Sequence, residues 1–255
     1  MLQNQGLYLN RRRIGDVRFL CRNTENDRNQ SLQFGEVMKL TEIDPGEFVA
    51  SVEPMLEAQD PAALLEMLKA RWHCDQIASL LSCDSCDARK VAAVALALVG
   101  TRCCLKELAA QLKHHDPMVN QMAEHALWSI WFRLGTQDAN HELCRGTRAL
   151  NRGDYQQAID HFTHAIEIDP TFAEAYNQRA IVKYLEDRYD ESIEDCRKTV
   201  ERMPCHFGAW AGMGHCHAHQ GRLASAVEYY EKALSINPAL TGIKQVVGEL
   251  KKQLT

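Results

Sequence analysis

No stretch of this 255-residue sequence is apolar for long enough to cross a membrane, and none holds one sign of charge for long. The first absence excludes an α-helical span. The second, with a net charge of -5, leaves no basic patch to hold nucleic acid or an anionic membrane surface. The opening "MLQNQGLYLNRRRIGD" puts its arginines after its apolar residues and has no apolar core segment. It is therefore not a secretory signal, and the expected location is cytoplasmic. Glycine-rich phosphate loops, G-x-S-x-G elbows and H-E-x-x-H runs are missing as well, so nothing argues for catalysis, and no cofactor or metal is expected. Ten cysteines are too few for a disulfide scaffold; Cys144, Cys196 and Cys216 fall on apolar helical faces, where a reduced thiol packs as a small hydrophobe.

Proline is scarce, yet three of the seven are evenly placed: Pro170, Pro204 and Pro238 stand 34 residues apart and close the phrases "AIEIDP", "TVERMP" and "ALSINP". Stacking 139–172, 173–206 and 207–240 aligns small residues at position 8 (Gly146, Ala180, Gly214), position 20 (Ala158, Ser192, Ala226) and position 27 (Ala165, Thr199, Ala233). Larger residues align at position 17 (Tyr155, Tyr189, Leu223) and position 24 (Phe162, Cys196, Tyr230). Small residues let two helices approach closely, the larger column fills the space beside them, and proline stops the second helix. Position 4 lapses, with Glu142 where the later repeats have Tyr176 and Trp210. This period and pattern resemble the tetratricopeptide repeat family over 139–240. Residues 241–255 carry Ile243, Val246, Val247 and Leu250 at helical spacing with a polar back, which predicts a capping helix.

A different period runs before it. "QIASLLSCDSCDARKVAAVALALVG" (76–100) superposes on "ELAAQLKHHDPMVNQMAEHALWSIW" (107–131) at an offset of 31, each a short helix, a polar turn and a longer alanine-rich helix. Together with "PAALLEMLKARW" (61–72), this stretch of about 60–135 resembles HEAT-like repeats, in the short form of bilin lyase-related proteins. The expected organisation is a polar, disordered segment over 1–37, a HEAT-like domain over 38–136, three repeats over 137–240 and the capping helix. The fold class is an all-α solenoid. "RLGTQD" (133–138) is too short for a flexible linker, so one continuous stack is expected, with Trp128 and Trp131 as core.

Several clusters invite chemistry. "HCHAHQG" (215–221) sits in the first helix of the third repeat, where residues two apart diverge by about 200°. His215 and His219 share a face, His217 points to the packing side, and no third metal ligand is evident. Cys83–Cys86 and Cys103–Cys104 sit at opposite ends of one helix spanning about 20 Å and cannot share an ion. His141–Glu142 is a single pair where HEAT-type iron hydroxylases need several. The resemblance to tetratricopeptide repeats instead implies a concave groove lined by Asn177, Gln178, Ile181, Tyr184, Ala211, His215 and His219. The histidines there would attract an acidic ligand near their ordinary pKa of about 6.5.

The expected function is a non-catalytic adaptor that binds a peptide or partner helix, with no nucleic acid or membrane as partner. The alternative is a metal- or thiol-dependent enzyme or sensor, or a cofactor handler by analogy with bilin lyases. Chaperone-binding members of the family hold a ligand carboxylate with lysine, asparagine and arginine. Here the matching positions are Leu143, Thr147, Gln178, Gly208 and Gly212, so a chaperone tail is not expected.

Overall fold

The computed structural model describes residues 42–254, and among them every regular element is helical. The expected disorder of 1–37 lies outside the described residues. The described chain falls into two compact units, divided between Trp131 and Phe132.

The first unit holds α1 (Pro45–Glu57), α2 (Pro61–Arg71), α3 (Cys74–Ser79), α4 (Cys86–Val99), α5 (Leu105–Gln111) and α6 (Pro117–Trp131), with 3₁₀ turns at Leu80–Ser82 and Arg102–Cys104. Side-chain caps set several starts. Asp44 accepts from the Glu47 amide at 2.8 Å, Asp60 from Ala62 and Ala63, and Ser85 from Ala88. Each satisfies amides that a first helical turn leaves open, and after Asp44 and Asp60 proline follows directly, where it loses no hydrogen bond. The superposed residues Ala92 and Ala123, Ala95 and Ala126, and Leu96 and Leu127 are all fully buried, where α4 packs on α6. Short and long helices alternate as the offset of 31 predicts.

The second unit pairs α7 (Gln137–Asn151) with α8 (Tyr155–Ile168), α9 (Ala173–Leu185) with α10 (Tyr189–Arg202), and α11 (Phe207–His219) with α12 (Leu223–Ile236); α13 (Thr241–Leu254) closes the array against α12. Pro170, Pro204 and Pro238 each stand two residues past the end of a second helix. The turn inside every repeat passes through the left-handed region at one column: Gly153 at φ 78°, Asp187 at 61° and Gly221 at 72°. α13 buries Ile243, Val246, Val247 and Leu250, the stripe expected of a cap. No described helix is long and apolar enough to cross a membrane.

The repeat columns meet as contacts. A Cβ on Gly146 would come within 2.5 Å of the Phe162 ring, and one on Gly214 within 2.5 Å of the Tyr230 ring. The middle repeat makes the same joint with Ala180 and Cys196, a larger residue facing a smaller one. At position 4, the Tyr176 hydroxyl donates to the Pro170 carbonyl at 3.3 Å and the Trp210 indole to that of Pro204 at 3.0 Å. Glu142 takes another role in the first repeat. It is 7 % exposed and accepts from Arg145 at 2.9 Å, with His161 Nδ1 at 2.7 Å.

Two polar joints are buried. Asp195, 1 % exposed, accepts a two-pronged hydrogen bond from Arg179 (2.8 Å on each prong) and a third from Lys183 at 2.7 Å, tying α9 to α10. Glu174 and His206 meet at 2.9 Å with no exposed side-chain surface on either partner. His206 Nδ1 accepts the Ala209 amide at the start of α11, so its proton sits on Nε2 and is donated to Glu174.

Candidate functional site

α9 and α11 bring the groove residues together in two layers. Asn177, Gln178 and Ala211 are 3 %, 1 % and 1 % exposed. Both side-chain amides are donated to Glu174 Oε1, Asn177 at 3.1 Å and Gln178 at 2.6 Å, so these groups hold the glutamate that reaches His206. Helical spacing assigned both to the groove, but it gave no sign that a carboxylate one turn earlier engages both. Ile181, Tyr184, His215 and His219 form the outer layer and are half-buried.

That outer layer is a cluster of phenols and imidazoles. Tyr184 Oη lies 2.8 Å from His219 Nε2, and Tyr189 Oη 3.3 Å from His219 Nδ1. The Tyr189 hydroxyl donates its one proton to Asp187, so its oxygen can only accept from the imidazole. His219 therefore carries its proton on Nδ1 and accepts the Tyr184 proton at Nε2. The Tyr189 ring stacks on His219 at 5.3 Å, and Tyr184 meets the same imidazole edge-on at 5.3 Å. Deeper in, His215 Nδ1 pairs with Tyr230 Oη at 2.8 Å.

The electrostatics differ from expectation. Burial pushes His215 down to about 4, helped by its neighbour His219, so it stays neutral where an ordinary histidine would charge. Its expected attraction for an acidic ligand is therefore absent. Burial raises Tyr184 to about 12, and the hydrogen bond to Asp187 raises Tyr189 to about 12, so both phenols remain neutral donors. His217 is 6 % exposed and stacks on Tyr229 at 5.0 Å, on the packing side as predicted.

The chaperone-clamp positions carry no free cation. Leu143 and Thr147 are buried, and the threonine hydroxyl returns to the Leu143 carbonyl at 2.8 Å. Arg179 and Lys183 are engaged by Asp195. Among the cysteines, Cys83 Sγ turns to the Ser85 carbonyl at 3.5 Å, while Cys86 lies at the head of α4, beyond whose far end come Cys103 and Cys104.

Comparison with known proteins agrees with the repeat geometry. Residues 149–187 match the model described as TPR repeat, and residues 208–240 the one described as tetratricopeptide repeat. The chain is 32 % identical over 116 residues to sperm-associated antigen 1 of Mus musculus, covering 46 % of this chain and 13 % of that one. It is 31 % identical over 114 residues to the Hsp70-Hsp90 organizing protein of Triticum aestivum, covering 45 % of this chain and 20 % of that one. It thus spans a small part of these relatives. Among solved structures, the first TPR of Spaghetti (RPAP3) bound to the HSP90 peptide SRMEEVD aligns with a TM-score of 0.45 and 21 % identity, over 46 % of this chain and 94 % of that one.

The wheat relative corrects one expectation. Exclusion of a chaperone tail fails against a protein of 31 % identity named for organising Hsp70 and Hsp90. The exclusion considered a single set of side chains, whereas a carboxylate accepts from any N–H or O–H donor within reach. Both matched segments lie in the second unit, and the HEAT resemblance of the first rests on its sequence pattern. The two matched segments and the repeating helix pairs make the C-terminal half of this chain an array of tetratricopeptide repeats.

Proposed function

We propose that the chain binds a protein segment along α9 and α11, with Ile181 and Tyr184 as apolar wall and His219 as polar anchor. The observation that carries this is the Tyr184–His219–Tyr189 bridge. It is a rigid, half-exposed shelf of rings whose proton positions are fixed, and such surfaces bind side chains at low entropic cost. The cytoplasm is the setting this reading implies. Peptides ending in acidic residues are the first ligands to test, because one relative is named for organising chaperones.

Fluorescence anisotropy with such peptides, free and amidated at the C-terminus, tests the proposal. Tyr184→Ala, shown by circular dichroism to keep its helicity, should bind at least about tenfold more weakly, equivalent to about 1.4 kcal/mol. Equal affinity in parent and variant would place the ligand elsewhere.

A further inference from the structure

The first unit brings together three cysteines that are far apart in sequence. Cys74 opens α3, and Cys103 and Cys104 lie in the 3₁₀ turn before α5, so the stacking of successive repeats sets the starts of their first helices side by side. Cys74 Sγ lies 3.5 Å from Cys103 Sγ, and Cys103 Sγ lies 3.5 Å from Cys104 Sγ. With a carboxylate oxygen of Asp75, the three sulfurs form a set in which all four atoms lie within 4.8 Å of one another.

These separations suit a metal better than they suit the thiols themselves. A Zn–S bond of about 2.3 Å puts the corners of a tetrahedron about 3.8 Å apart, close to the two sulfur separations of 3.5 Å. A disulfide would join two of the sulfurs and leave the third, and thiols bond one another only weakly. Thr101 supplies a supporting hydroxyl, its Oγ1 at 3.0 Å from Cys103 Sγ and 3.6 Å from Cys74 Sγ. Hydroxyl donation to a ligating thiolate is the outer-shell support that such sites carry. Cys104 is buried while Cys103 and Asp75 are exposed, so the cluster has a fixed floor and an open approach.

We propose that Cys74, Asp75, Cys103 and Cys104 bind one thiophilic divalent cation of the zinc class in a closed, four-ligand structural site that fastens two successive repeats together. Three soft thiolates and one carboxylate favour such an ion over magnesium or calcium. Each thiol loses its proton on binding, so the site weakens as pH falls. This departs from the expectation of no metal, and it is independent of the groove on α9 and α11.

The test is a titration of the reduced full-length chain with cobalt(II) alone, followed by zinc(II). The expected result is a tetrahedral cobalt spectrum with a thiolate-to-cobalt charge-transfer band, erased by zinc. Cys103→Ser should weaken cobalt binding by more than about a hundredfold, beyond the loss caused by removing an outer-shell group. Cys103 is exposed, so serine there leaves the fold intact, which circular dichroism checks. Asp75→Ala should keep the charge-transfer band but bind more weakly. Cys86→Ser, which removes a separate neighbour of His114 and His115, should change neither. The proposal is overturned if the reduced parent shows no charge-transfer band, if the band survives Cys103→Ser unchanged, or if it disappears with Cys86→Ser.

Discussion

The ring of Tyr230 occupies the space where a side chain on Gly214 would begin: a Cβ there would stand 2.5 Å from the ring Cδ1 and 2.6 Å from Cε1. Gly214→Ala should therefore destabilise the protein by about 1 to 3 kcal/mol through overpacking. The middle repeat, with Ala180 facing Cys196, shows how the joint accommodates the extra methyl. Adding Tyr230→Cys to Gly214→Ala should recover part of the loss. A double-mutant cycle by urea unfolding measures this, and simple additivity would refute it.

Asp195 holds two cations in the seam between α9 and α10. Asp195→Ala leaves Arg179 and Lys183 buried without their carboxylate, and breaking such a joint from one side costs about 3 to 5 kcal/mol. The denaturant midpoint should fall steeply, whereas Glu194→Ala on the exposed side of α10 should leave it nearly unchanged.

The depressed His215 predicts a pH dependence of stability. In the unfolded chain this imidazole takes its proton near pH 6.5, while in the fold it does so only near 4. Between those values the unfolded state binds more protons, so this group stabilises the fold above about pH 6.5 and loses that contribution as pH falls toward 4. At full effect the loss is up to about 3 kcal/mol. Urea midpoints across this window should slope less in His215→Leu than in the parent, and parallel curves would refute the assignment.

Gly153 isolates a backbone effect. Its φ is +78°, and a Cβ there would meet nothing within 4 Å. Gly153→Ala should therefore cost about 1 kcal/mol from the left-handed conformation alone, with no change in packing. A lowered melting temperature with an unaltered near-ultraviolet dichroism spectrum is the expected observation.

The C-terminal fold was legible because each repeat column has one physical meaning. Position 8 faces position 24, and proline follows the second helix, so residue sizes alone reveal the pairing. The groove was legible only by helix face. That Asn177 and Gln178 sit next to Glu174 is visible in the chain, but their commitment to it depends on His206, which lies at the far end of the same repeat. Cys74 was missed for a similar reason: alone in its stretch, it gains neighbours only when repeats stack. The offset of 31 held a signal, since it superposes Cys74 on Leu105, the residue beside Cys104.

The buried pair Glu174–His206 has a bearing on how the array assembles. Repeats built on one pattern offer similar docking faces, and similar faces invite a repeat to settle against the wrong neighbour while the chain is still folding. In the His206 column the other repeats have Phe172 and Leu240, and in the Glu174 column they have Asn140 and Gly208. His206, the last residue of the second repeat, also caps α11 at the start of the third, so a third repeat docked elsewhere would draw the imidazole away and leave the Glu174 carboxylate short of a partner in a dry interface. The pair thus works as a key that fits one lock, making the order of the second and third repeats a property of the folded array as well as of the gene.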